Sequence, residues 1–113
     1  MSAHATLAHD VGKYIARIAR NVPETGAFPG ALVPLLAKDL YEAPGGGRPS
    51  ARFAALAAEL PPHAALEEAA AHLRAIDALE DDVRGGDEAA CREACRRALA
   101  VERLLRGYAA EGA

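Results

Sequence analysis

His9, Asp10, Gly12, Lys13, Arg17 and Arg20 fall in one short stretch near the start of the chain. Together they suit one chemistry, the acceptance of a phosphoryl group on an imidazole. Such an acceptor needs an exposed ring, small neighbours that admit a partner's aspartyl phosphate, and a cation to offset the incoming charge. On a helical wheel at about 100° per residue the apolar stripe centres near Val11 and Ile18, and His9 falls opposite it, facing water. Lys13, Arg17 and Arg20 occupy one flank of this outward face, and Ala5, Gly12 and Ala16 the other. Asp10 follows the histidine directly, within reach of a ring nitrogen if its rotamer turns back. The plainer reading of the same residues is a solvated histidine beside a charged helix face.

The run Leu7-Ala8-His9-Asp10-Val11-Gly12-Lys13 resembles the histidine box of two-component signalling proteins, in which a helical histidine followed by an acidic residue accepts phosphate. It is also similar to histidine phosphotransfer domains, helical bundles of about this length in which a lysine and a glycine follow the histidine; here Gly12 precedes Lys13. The resemblance covers about a dozen residues of the first helix. It implies His9 as acceptor, Lys13 as the offsetting cation and a response-regulator receiver domain as partner. No glycine-rich nucleotide-binding segment accompanies the run, which excludes a self-sufficient kinase.

Other chemistries find less to work with. His63, His72, Glu59, Glu67 and Glu68 are types that ligate metals, yet a carboxylate-bundle site needs Glu-x-x-His on two helices. Glu68 and His72 are four apart, and no second helix repeats them. Cys91 and Cys95 share a helix face and offer two thiolates, short of a tetrahedral set, so they read as small buried side chains in a reducing compartment. Gly45-Gly46-Gly47 lacks the strand and the Lys-Ser or Lys-Thr pair of a phosphate-cradling loop, and no Ser/His/Asp or Cys/His set is visible. No cofactor and no metal are expected. The leading expectation is therefore a non-enzymatic interaction or signalling adaptor, with Lys13, Arg17 and Arg20 as its partner-binding face; the alternative is a phosphotransfer protein using His9, Lys13 and Asp10.

The elements that position these residues are helical. Of 113 residues, 29 are alanine and only five are aromatic, with 51% hydrophobic and 26% charged. Alanine is the best helix former and β-branched residues are few, so propensity over any long window favours helix. The net charge of -3 gives no field that attracts phosphate backbones, so nucleic acid is not an expected partner. Apolar runs fall far short of the ~20 residues that cross a bilayer, and no basic stretch precedes an apolar signal segment, which predicts a cytoplasmic protein with no membrane partner.

Punctuation divides residues 1–113 into one all-α domain, a small antiparallel bundle of four main helices with a shorter fifth, and loops at about 22–30 and 43–49. The first helix spans about 6–21 and stops because Pro23 biases Val22 away from helical geometry. A short helix over 31–42 carries Pro34 in its first turn. Ser50 caps a third, ending at Leu60 before Pro61-Pro62. The fourth runs from Pro62 to Arg84 with a stripe of Leu66, Ala69, Leu73, Ile76 and Val83, interrupted by Glu80. Near its end, Glu80-Asp81-Asp82 opposes the helix dipole. Asp87 caps the last helix, to about 110, striped by Cys91, Ala94, Cys95, Ala98, Val101, Leu105 and Tyr108. Glu88 with Arg92, Glu93 with Arg97 and Glu102 with Arg106 form favourable i,i+4 pairs. The short turn between the last two helices makes them antiparallel neighbours. Alanines 54, 55, 57, 58, 64, 65, 69, 70 and 71 cannot all enter one core, which predicts a homodimer through the helices flanking Pro61-Pro62.

Overall fold

A computed structural model describes residues 10–42 and 48–111. Among these the protein is all-α, a small bundle without strands. Helix α1 occupies 10–15 of the described residues and passes through turns into a 3₁₀ segment, Ala19–Asn21. A second 3₁₀ turn, Gly30–Leu32, leads into α2 (Val33–Tyr41), with Pro34 in its first turn as its missing N–H requires. Helices α3 (Pro49–Ala57), α4 (Ala64–Ala78), α5 (Glu80–Arg84) and α6 (Glu88–Glu111) follow.

The core is the seam of α4 against α6. Leu66, Ala69, Leu73 and Ile76 meet Cys91, Ala94, Cys95, Ala98, Val101 and Leu105, all buried. The pair is antiparallel: His63, before α4, lies against Tyr108 and Glu111 at the far end of α6, while His72 in mid-α4 reaches Arg97. Asp87 caps α6 by accepting from the Ala90 N–H at 2.9 Å, and the three i,i+4 pairs all form. Tyr108 is only partly buried.

Five expectations need correction, chiefly because of contacts between residues far apart in the chain. The first helix does not run unbroken to 21; it loosens after 15 because the Ile18 N–H donates to the Asp39 carboxylate at 3.2 Å instead of continuing the helical ladder. Ser50 is not a cap. Pro49 already sits in the first turn of α3, and the Ser50 hydroxyl donates across to Asp77. The fourth helix breaks at Leu79, because the Ile76 carbonyl is taken by the buried Tyr41 hydroxyl at 2.7 Å and by the Leu79 N–H at 3.0 Å. It also starts later, with the His63 side chain as its cap, accepting from the Ala65 N–H at 3.0 Å. The break moves Glu80, Asp81 and Asp82 into the first turn of α5, where they complement the dipole rather than oppose it.

Candidate functional site

The stretch around the expected phosphate acceptor is only partly described. His9 lies outside the described residues, as does Ala5, while Asp10 and Lys13 are exposed on α1. The small flank expected to face outward is buried: Ala16 is fully covered, and Gly12 is pressed against α6, where a Cβ would come within 3.2 Å of Glu102 Cα and of Leu105 Cδ1. The wheel fails here because α6 crosses α1 closely enough that its seam admits only a glycine, widening the buried sector beyond the apolar stripe.

Arg17 and Arg20 are tied into the fold rather than standing clear. Arg17 donates through Nη2 to Asp39 Oδ1 at 2.5 Å and through Nε to Oδ2 at 3.4 Å, and this bonding holds its guanidinium further above its ordinary range. Arg20 pairs with Glu102, which also takes Arg106 at 3.4 Å. Lys13, Arg17 and Arg20 thus do not form one uncommitted cationic face. The acids responsible are buried, Asp39 at 0% and Glu102 at 4% exposure; the sequence reading gave Glu102 only as the partner of Arg106 and did not single out Asp39. Their signal was present in the phase of the helices: Asp39 lies three after Leu36, and Glu102 lies between Ala98 and Leu105, both on core stripes.

The remaining chemistry-bearing residues serve structure. His63 caps α4, and its Nε2 meets Glu111 Oε2 at 2.7 Å. His72 has its basicity lowered by burial and then by neighbouring Arg97. The Cys91 and Cys95 thiols are free and buried; burial raises both, Cys95 to about 11, far from the thiolate that ligates metal or attacks electrophiles. Among the described residues no cluster of three or more His, Cys, Asp or Glu could hold a metal ion, and His63, His72, Glu59, Glu67 and Glu68 do not converge. Among the described residues no helix is long and apolar enough to cross a membrane.

The bundle surface has several shallow grooves, one between the start of α2 and the α5–α6 turn and another beside Val22 and Leu99, and the most apolar of them lies along α3 and α4. A shallow groove of about 360 Å³ is lined by Ala54 and Ala57 of α3, by Ala58, Leu60, Pro61, Pro62 and His63 of the turn, and by Leu66, Glu67 and Ala70 of α4, so that it is apolar apart from His63 and Glu67. Alanine side chains are too short to fill the space between the two helices, and Pro61-Pro62 forces the chain to turn before α4 begins. Beside it, Ala54, Ala55, Ala58, Ala64, Ala71 and Ala78 are exposed. Comparison with protein-family models, with curated proteins and with solved structures gave no match.

Proposed function

We propose that this chain is a non-enzymatic interaction module, of the adaptor kind, that binds a second polypeptide on its α3–α4 face. The observation that carries this reading is the open apolar groove between α3 and α4, flanked by exposed alanines. Burying that surface against a partner removes apolar area from water, at roughly 25 cal/mol per Å², with little side-chain entropy to lose because alanine has none. Of the three cations first expected to dock a partner, Arg17 and Arg20 are paired with Asp39 and Glu102 while Lys13 stays exposed, which favours the α3–α4 face over α1 in this reading.

Site-specific photo-crosslinking in the native host tests the reading. A photoreactive residue at Ala58 or Ala71 is expected to yield discrete adducts, whereas one at Arg103, exposed on α6, is expected to yield none. Equal labelling from both faces, or none from α3–α4, overturns the assignment.

A further inference from the structure

The outer side of α4 carries Ala64, Glu67, Glu68, Ala71, Arg74 and Ala78, all exposed. Alanines 64, 71 and 78 recur at seven-residue intervals, the repeat at which a helix face stays in register along a partner helix. Two acids precede the central alanine by three and four residues, and an arginine follows it by three. None of Glu67, Glu68 and Arg74 makes an ion pair among the described residues, in contrast to the paired charges of α6.

This pattern is self-complementary in one orientation only. A parallel copy sets Arg74 against Arg74 and acids against acids. An antiparallel copy, related by a two-fold axis through Ala71, sets Arg74 of each chain beside Glu67 and Glu68 of the other, and Ala64 beside Ala78. A basic partner would satisfy the acids and repel Arg74, and an acidic one the reverse. A second copy of this chain satisfies both signs, and two-fold symmetry makes every contact twice.

We propose that the outer face of α4 pairs with the same face of a second copy in an antiparallel, two-fold dimer, with Ala54 of α3 and Ala58 just after it at its margin. This rests on the reading of α3–α4 as the interaction surface and names its occupant. Helix α4 has 15 residues and so spans about 22 Å. A helix face of that length with an α3 margin buries on the order of 1,000 Å² in total, at the lower edge of specific interfaces. The dimer is therefore weak and concentration-dependent, in the micromolar range.

Cysteine crosslinking tests both the contact and its polarity, and the buried Cys91 and Cys95 do not compete. Under mild oxidation Ala71→Cys, on the axis, is expected to give a disulfide-linked species of twice the 11.8 kDa chain mass. An equimolar mixture of Ala64→Cys and Ala78→Cys is expected to link faster than either alone. Faster self-linking of Ala64→Cys alone, the mark of a parallel pair, overturns the proposal. In sedimentation equilibrium Arg74→Glu is expected to weaken association about tenfold or more, since it replaces two attractive contacts by two repulsive ones. The triple variant Glu67→Arg, Glu68→Arg, Arg74→Glu is expected to restore it. These positions are exposed, and circular dichroism verifies that each variant stays helical. A monomer at every concentration with no Ala71→Cys dimer overturns the second copy as occupant. Photo-adducts from Ala71 to a different polypeptide would then leave the interaction reading standing, and their absence would remove both.

Discussion

Replacing Asp39 by alanine removes the acceptor for three donors, the Arg17 Nη2 and Nε groups and the Ile18 N–H. The three losses are unequal. The Arg17 side chain is 54% exposed, so its guanidinium turns to water and little is lost there. The Ile18 N–H sits in a half-buried backbone with no substitute acceptor unless the chain rearranges. An unsatisfied amide costs about 1–3 kcal/mol, and the small void left by the carboxylate adds to it, so we expect about 2–3 kcal/mol in all. For a chain of this size that lowers Tm by about 8–12 °C. Asp39→Asn keeps an acceptor for Ile18 and should lose about half as much. Urea unfolding gives the free energies, and amide hydrogen exchange gives the location: Ile18 should exchange fast in Asp39→Ala while Leu105, in the core seam, keeps its protection. A change below about 0.5 kcal/mol, the range of an ordinary surface substitution, would refute the claim that this carboxylate holds the end of α1. So would equal loss of protection at both amides.

Gly12→Ala gains up to about 1 kcal/mol of helix propensity, but the new Cβ meets Glu102 Cα, a backbone atom that cannot turn aside. The net result expected from urea melts is destabilisation by about 1–3 kcal/mol. Leu73→Asp puts an unpaired charge at a fully buried position in the α4–α6 seam and should abolish the cooperative melt seen by circular dichroism. The Cys95 thiol has its folded value raised to about 11, chiefly by burial, from an ordinary value of 9.0. The unfolded chain therefore releases this proton first, and the thiol's contribution is intact below about pH 9 and lost as pH rises toward 11. Urea melts across that window should show stability falling with pH, and Cys95→Ala should make the fall shallower.

Helix identity was legible because the chain signals it redundantly. Alanine supplies propensity throughout, Pro23, Pro34 and Pro61-Pro62 punctuate, and the stripes of the last two long segments repeat at three and four. The cap at Asp87 and the antiparallel seam of α4 with α6 followed from the same signals. What escaped was set by contacts between residues far apart in sequence. Nothing near Ile18 announces that a carboxylate 21 positions later will take its N–H. Likewise, nothing near Leu79 announces a tyrosine hydroxyl at the Ile76 carbonyl, 35 positions away. The outward placing of Gly12 failed for the same reason, because a wheel registers side-chain polarity and cannot see a neighbouring backbone at van der Waals distance. The seven-residue spacing of Ala64, Ala71 and Ala78 was also in the sequence. It gained meaning only once α4 was known to end at Ala78 and to leave that side uncovered.

Both of these long-range hydrogen bonds originate in α2, a helix of nine residues that is too short to be stable alone. Asp39 ends α1 and Tyr41, two residues on, breaks α4. Tyr41 is held in its protonated, donating form because burial raises its phenol, with Glu80 and Asp77 nearby adding to the effect. The break at Leu79 lets α5 turn so that Val83 is buried and its carbonyl lies 3.7 Å from Cys91 Sγ at the start of α6. Had α4 continued to Arg84, Glu80 would have fallen on its buried stripe between Ile76 and Val83, with a carboxylate facing the core seam. By stopping α4 at Ala78, Tyr41 keeps Glu80 off that stripe, and Glu80 instead meets Arg48 at 3.0 Å and Arg84 at 2.9 Å, so an interior hydrogen bond determines whether this carboxylate faces the core or its two arginines.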